Sequence, residues 1–168
     1  MRTGRGACAG FTLIELGVAL ALAGLIALAS VPPITRYIQD SRLEGVASNL
    51  VGEIRLCRHK AVAEANDYII ALDPSGDSYS IIDDDNSNGQ ADDGENVIGP
   101  VSLPSRIDLR NGPWIPFPDD QLILHPNGTA SATGIITIRN GVGRERLLFV
   151  TAATGHAKKV WEYQGFHQ

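Results

Sequence analysis

The sequence predicts an α+β protein in which a long, kinked N-terminal helix packs on an antiparallel β-rich head. The segment from Leu16 to Val31 has no charged residue, whereas everything after Thr35 has the composition of a soluble domain. Short apolar runs separated by turn residues fill the second half of the chain. With 168 residues, of which 43% are hydrophobic and 20% charged, the chain has room for one modest core rather than two enzyme-sized domains.

The apolar segment Phe11–Val31 is long enough to span a membrane. As a helix its length would be about 31 Å at ~1.5 Å per residue, which matches a hydrocarbon core of ~30 Å. Pro32-Pro33 interrupts backbone hydrogen bonding and therefore predicts a kink near the outer face of the membrane. We predict a transmembrane helix over residues 11–33, with Arg2 and Arg5 on the cytoplasmic side and the C-terminal bulk outside.

A second, amphipathic helical segment is predicted over residues 34–66. Its apolar residues recur at spacings of three and four, which places them on one face of a helix. This stripe consists of Leu43, Val46, Ala47, Leu50, Ile54, Cys57, Ala61 and Ala65. Charged residues lie largely off the stripe, so we expect it to face the core of the head, and we expect the helix to end near Asn66.

Residues 67–168 are predicted to form the β-rich head. The candidate strands are Tyr68–Leu72, Tyr79–Ile82, Ile107–Leu109, Leu122–Leu124, Ile135–Ile138, Leu147–Thr151 and Lys159–Tyr163. The first two flank Asp73–Asp77, whose Pro, Ser and Gly residues are typical of a hairpin turn. The pattern predicts an antiparallel sheet or small sandwich packed on the helical stripe.

The first ten residues form a short, basic segment without an apolar run. An ordinary secretory signal places its apolar region before the cleavage site, whereas here that region follows Gly10. Removal of a leader 1–10 would leave 12 basic and 19 acidic residues, a net charge of −7 instead of −5, which argues against nucleic-acid binding by overall charge. Cys57 would then be the only cysteine, so packing rather than an intrachain disulfide must hold the head together.

The segment Gly10–Leu16, GFTLIEL, resembles the N-terminal signal of type IV prepilins and type II secretion pseudopilins. The resemblance implies a pilin-like fold, cleavage by a membrane aspartyl peptidase between Gly10 and Phe11, and N-methylation of Phe11. It also implies that Glu15 pairs with the N-terminal amine of a neighbouring subunit during assembly. A carboxylate in an apolar helix costs about 2.5–3.5 kcal/mol on insertion scales and needs compensation. The other interpretation is a Glu15 that reaches the membrane surface and is functionally idle.

The C-terminal half is similar to the GspH/FimT pseudopilin family at Leu124–Ala130, at the strand beginning at Gly134 and at Thr154-Gly155. Arg58 and Ala61 also suit the Ala-Arg-x-x-Ala segment of that family. The resemblance implies a minor pseudopilin, a structural subunit of the type II secretion pseudopilus that is similar to its protein H. Such a protein would cross the bacterial inner membrane once, with its head in the periplasm, and would contact other pseudopilins and the prepilin peptidase.

The alternative within the same family is a FimT/FimU-like minor type IV pilin with a role in pilus assembly or DNA uptake. Nucleic acid would then contact the basic segment Gly155–Lys159, with Arg144 and Arg146 in the preceding turn. On an acidic protein, solvated strand ends explain these residues better. No nucleophile–base pair, phosphate loop or zinc-type spacing of His and Cys is visible, so the sequence predicts no catalytic residues.

An acidic loop in the head fits the EF-hand calcium template D-x-[DN]-x-[DN]-G-x5-E. The candidate Ca²⁺ ligands are Asp84, Asn86, Asn88, the backbone carbonyl of Gln90, Asp92 directly or through water, and Glu95. No pair of helices flanks the loop, so a solvated hairpin tip is the other interpretation. No other cofactor is suggested by a motif. A stand-alone calcium-binding surface protein anchored by one helix would be a third functional class, but it leaves the leader unexplained.

Overall fold

The computed structural model describes residues 10–92, 94–112 and 114–160, apart from the side chains of residues 28–33. Its elements in chain order are α1 (Leu13–Glu64), β1 (Asp67–Asp73), β2 (Ser78–Asp84), β3 (Asn96–Ser102), β4 (Ile107–Asn111), a 3₁₀ turn (Pro118–Asp120), β5 (Gln121–Leu124), β6 (Gly134–Asn140), β7 (Glu145–Thr151) and β8 (His156–Val160). Leader residues 1–9, residues 161–163 of the last predicted strand, and the side chains at the predicted Pro32-Pro33 kink lie outside this description.

The chain divides into two compact units, Met1–Tyr37 and Ile38–Gln168. In the second unit the predicted stripe of α1 is buried at Leu43, Ala47, Leu50, Ile54, Cys57 and Ala61. The spacing predicts Ala65 on the same stripe, but this residue lies beyond the helix end with φ of 60°. A left-handed residue directly after Glu64 ends the helix, and this explains why the stripe stops one turn earlier than its spacing predicts.

The strands form two four-stranded antiparallel sheets in the orders β3-β2-β1-β5 and β4-β6-β7-β8. In the first sheet Ile70 lies opposite Ile81, and in the second Ile136 lies opposite Leu148. These pairs belong to a hydrophobic core that also contains the stripe of α1. The prediction of an N-terminal helix packed on antiparallel β-structure is therefore confirmed.

Two strands differ from the sequence-based expectation. Strand β3 was missed because its Gly99-Pro100 pair is typical of a turn. It lies at the edge of its sheet, where a proline without an N–H group is tolerated. Strand β8 begins at His156 rather than Lys159, because the N–H of Gly155 donates to the carbonyl of Thr151 (2.8 Å) and closes the preceding turn early.

Phe117 anchors the irregular segment before β5 in the core. Its side chain is only 2% exposed, and a Cβ atom at Gly134 would lie 2.6 Å from the Phe117 ring, so the ring packs directly on the backbone of β6. The side chain of Asn111 donates to the carbonyl of Phe117 and accepts from its N–H, both at 2.7 Å. This pair of hydrogen bonds fixes the loop to the end of β4.

The only thiol among the described residues is that of Cys57, which lies in the core beneath the sheets and is free. Burial raises the pKa of Cys57 to about 11. The thiol is therefore protonated at neutral pH and behaves as a small apolar side chain. Cys57 therefore contributes to the head by packing.

Carboxylates on one edge of α1 form ion pairs with β7, β8 and the turn before β7. Asp40 contacts Arg144 at 2.7 Å, while Glu44 accepts hydrogen bonds from Arg146 at 3.0 Å and from Lys159. Lys159 and Arg146 hold the pKa of Glu44 below its usual value. Ion pairs as well as apolar packing therefore hold the helix against the second sheet.

We predict that Glu44→Gln lowers the free energy of unfolding of the chain at neutral pH. The pKa of Glu44 is lower in the folded state than in the unfolded chain. The contribution of Glu44 to the free energy of unfolding is therefore fully present above the unfolded-state pKa, and it is lost as the pH falls through the folded-state pKa. The side chain is 42% exposed, so we expect no more than about 1 kcal/mol. Urea unfolding at a series of decreasing pH values should show the variant and the wild type converging in acid.

The matched control is Glu145→Gln, which also removes one charge. Glu145 approaches Arg139 at 3.8 Å, a longer contact than either pair made by Glu44. Its replacement should therefore cost less stability than Glu44→Gln. Equal effects of the two substitutions at neutral pH would show that overall charge, and not the Glu44 contacts, determines the difference.

Candidate functional site

The first turns of α1 expose large apolar side chains in every direction. The large apolar residues that are exposed in and just before the N-terminal part of the helix are Phe11, Leu13, Ile14, Leu16, Val18, Leu20, Leu22, Leu25, Ile26, Ile34 and Tyr37. A helix that is apolar all round is normally buried in a large core or in a membrane. Among the residues that the structure describes, however, no helix carries a stretch that is both long and apolar enough to cross a membrane.

Thr12 caps the start of this helix. Its side-chain oxygen accepts from the N–H of Glu15 (3.2 Å), and its carbonyl accepts from the N–H of Leu16 (3.1 Å). Thr-x-x-Glu before an apolar run is the pattern of a capping box, so the spacing of Thr12 and Glu15 is itself a sequence signal for this cap. The cap fixes Glu15 in the first helical turn.

Glu15 therefore lies at the positive end of the helix dipole, where a negative charge is stabilised by about 0.3–1 kcal/mol. Gly10 and Phe11 precede the helix and are exposed, and a Cβ atom at Gly10 would meet nothing within 4 Å. The peptide bond between them is thus accessible and free of regular secondary structure.

The acidic loop between β2 and β3 folds around the carboxylate of Asp84. This residue is fully buried, and its two oxygens accept from the N–H groups of Asn88 (3.1 Å) and Gly89 (2.8 Å). Gly89 adopts φ of 78°, a left-handed conformation that suits glycine. The sharp turn that the calcium template requires at this position is therefore present.

The other candidate ligands of the loop are engaged with one another. The amide groups of Asn86 and Asn88 both donate to Asp92, and the N–H of Gln90 donates to Asn88. One oxygen of Glu95 accepts from the N–H of Asp92 (2.9 Å), while the other is buried without a hydrogen-bond partner among the described residues. Across all the residues that the structure describes, no three His, Cys, Asp or Glu side chains lie close enough together to hold a metal ion.

The candidate nucleic-acid contacts differ in whether they form ion pairs with the helix. Arg144, Arg146 and Lys159 are paired with Asp40 and Glu44 of α1. His156 and Lys158 are exposed on β8. Arg144, Arg146 and Lys159 are therefore compensated by carboxylates of the helix, whereas His156 and Lys158 form no ion pair among the described residues.

Comparison with known proteins identifies the family. Residues 46–155 match the family model described as type II transport protein GspH. A search of curated proteins gave no match. The matched range covers well over half of the chain, from the buried stripe of α1 to the turn before β8.

Solved structures share the fold. The minor pseudopilin EpsH of the type 2 secretion system of Vibrio cholerae superposes with a TM-score of 0.54 at 13% identity, over 71% of this chain and 96% of EpsH. The type IV minor pilin FimU of Pseudomonas aeruginosa gives 0.55 at 16% identity, over 78% of this chain and 99% of FimU. At such low identity these likenesses concern the fold alone. The match to the family model, in contrast, extends over most of the sequence, and the chain belongs to the GspH family of type II transport proteins.

Proposed function

We propose that this protein is a minor pseudopilin, a structural subunit of the pseudopilus that drives type II secretion across the outer membrane. The observation that carries the proposal is the family match over residues 46–155, joined to a helix that starts two residues after Phe11 and exposes apolar side chains. A protein with this design acts by assembling with similar helices and not by catalysis. Its partners would be other pilin or pseudopilin subunits and the prepilin peptidase.

The proposal includes a single membrane pass over residues 11–33 before assembly. Phe11–Val31 has the length of a hydrocarbon core when helical, and the exposed apolar side chains between Phe11 and Ile26 would contact lipid there. Residues 34–66 would form the stem, and residues 67–168 the head in the periplasm, after removal of leader 1–10. The protein would thus reside in the bacterial inner membrane until it enters a filament.

A FimU-like minor type IV pilin is the second candidate, favoured by the fold shared with FimU over 78% of this chain. Both candidates require the same processing and the same helix. Co-purification distinguishes them, because a pseudopilin should be recovered with secretion subunits and a minor pilin with pilus subunits.

The first prediction of this proposal concerns processing. In a host with active prepilin peptidase, the mature chain should begin at Phe11 and carry an N-methyl group, as read by N-terminal mass spectrometry. Gly10→Leu should abolish cleavage, because a bulky side chain beside the scissile bond obstructs a peptidase site that accepts glycine. Gly10→Ala, the control, should retain part of it.

Neither substitution should disturb the chain itself, because the space around Gly10 is open. Loss of cleavage in Gly10→Leu would therefore report on recognition by the peptidase. Recovery of wild-type protein with Met1 intact would contradict the proposed processing.

The second prediction concerns Glu15. Glu15→Val should still insert in the membrane, since it removes an insertion cost of about 2.5–3.5 kcal/mol, but it should be recovered with partner subunits at a much lower level. Glu15→Gln, which keeps the size of the side chain and removes its charge, should behave similarly. The measurement is the ratio of partner subunits to this protein after affinity purification from membranes. A wild-type ratio in both variants would mean that the carboxylate is idle.

We further propose that the acidic loop binds one Ca²⁺ through Asp84, Asn86, Asn88, Glu95 and the carbonyl of Gln90, with Asp92 directly or through water. Two features support it: the left-handed turn at Gly89 and the buried, unpartnered oxygen of Glu95. A cation would supply the partner that this oxygen lacks among the described residues. The ligand would stabilise the head rather than take part in a reaction.

The third prediction tests this loop by thermal melting of the full-length protein in detergent. Millimolar Ca²⁺ should raise the melting temperature relative to chelator and to Mg²⁺, because a ligand of the folded state adds about 2.7 kcal/mol at a hundredfold excess over Kd. Glu95→Gln should remove the shift. Asp85→Asn, which removes one charge from a non-ligand position of the same loop, should keep it. Identical melts in all three solutions would leave the loop as a solvated hairpin tip.

A further inference from the structure

A basic cleft lies between the C-terminal part of α1 and the turn that leads into β8. Its volume is about 250 Å³, and its lining consists of Arg55, Arg58, His59, Gly155 and His156. All five residues belong to the compact unit Ile38–Gln168. Two arginines and two histidines therefore line one small space.

The backbone of two glycines fixes Arg58. Its Nε–H donates to the carbonyl of Gly128 at 3.0 Å. A Cβ atom at Gly155 would lie 2.7 Å from that carbonyl oxygen and 3.2 Å from Cδ of Arg58, while one at Gly128 would lie 3.1 Å from Nη2 of Arg58. Both glycines also have positive φ, so larger residues would be strained there. The guanidinium is thus held in a slot that only glycine permits.

Arg55 is oriented by the neighbouring strand. Its Nη2 donates to the carbonyl of Ala157 at 3.2 Å. Since a guanidinium carries five N–H donors, one backbone acceptor for Arg55 and one for Arg58 leave donors on both groups. Within the described residues neither arginine is ion-paired with a carboxylate, in contrast to Arg144 and Arg146.

We propose that this cleft binds a side-chain carboxylate of an acidic peptide segment on a partner protein. Arginine matches a carboxylate through two parallel N–H···O bonds, and fixing its orientation beforehand lowers the entropy cost of binding. His59 and His156 offer further ring nitrogens at the rim, where both side chains are exposed. The inference concerns binding by the isolated chain and does not depend on the proposed place in a pseudopilus.

The charges around the cleft favour a compact carboxylate over the phosphate backbone of a nucleic acid. Binding to a nucleic acid relies on neutralising several successive phosphates. Of the cations that could extend the cleft along β7 and β8, Arg146 and Lys159 are already paired with Glu44, which leaves Lys158 as a single additional charge. The chain is acidic overall, with a net charge of −5, which disfavours a long polyanion more than a single carboxylate group.

The test uses the full-length protein in detergent and a fluorescein-labelled tetraglutamate peptide, with fluorescence anisotropy as the readout. The wild type should bind the peptide in a salt-dependent manner. Arg55→Gln should weaken binding about tenfold, as expected for loss of a hydrogen bond between charged groups. His156→Gln should weaken it by a smaller factor. Arg58 is left unchanged because it also holds the Gly128 turn in place.

Arg42→Gln is the matched control, because Arg42 is an exposed arginine of the same helix outside the cleft. It removes the same charge and should bind as the wild type does, and all variants should melt as the wild type does. The proposal is overturned if the peptide does not bind, or if Arg42→Gln weakens binding as much as Arg55→Gln. Displacement of the peptide by a single-stranded oligothymidylate at lower concentration than by unlabelled tetraglutamate would assign the cleft to nucleic acid instead.

Discussion

Burial of one face of α1 between Leu43 and Ala61 is the constraint on which the head depends. The stripe supplies the helical side of a core whose other side comes from both sheets, with residues such as Leu122 and Ile136 fully buried against it. Each large aliphatic side chain buried in this way contributes about 1.5–3 kcal/mol, more than any surface ion pair of the head. The pairs of Asp40 and Glu44 act in addition, by fixing which part of the second sheet lies along the helix.

That arrangement of charge also determines what remains available for binding. Arg146 and Lys159 both form ion pairs with Glu44, so these two cations of the C-terminal region hold the second sheet to α1. Arg55 and Arg58, further along α1, are held instead by backbone carbonyls, and neither forms an ion pair with a carboxylate among the described residues. Within the described residues, an acidic protein therefore has a cleft lined by basic side chains that form no ion pair with the helix carboxylates.

The sequence predicts those features that depend on local pattern. The stripe of α1 follows from the spacing of its apolar residues. The hairpin at Asp73–Asp77 follows from its turn-forming residues, and Asp73 stabilises this turn by accepting hydrogen bonds from the N–H groups of Ser75 and Gly76. Strand β3 could not be found in this way, because its pairing with β2 outweighs the turn preference of Gly99-Pro100. The sequence does not predict the slot around Arg58 either, because Gly128 and Gly155 are far from Arg58 in sequence and contact it only in the folded head.

The two parts of α1 differ in how their apolar side chains are buried. From Leu43 onward, one face is apolar and covered by the head, whereas from Leu13 to Ile26 the exposed side chains point in all directions. A helix with the second pattern exposes apolar surface whose cost in water grows by about 25 cal/mol for each Å². Lipid or neighbouring helices remove that cost, which is the physical reason for proposing both a membrane-bound and a filament-bound state. Glu15 is the polar exception, and its place in the capped first turn reduces the penalty of its charge without supplying the counter-charge that a partner subunit would bring.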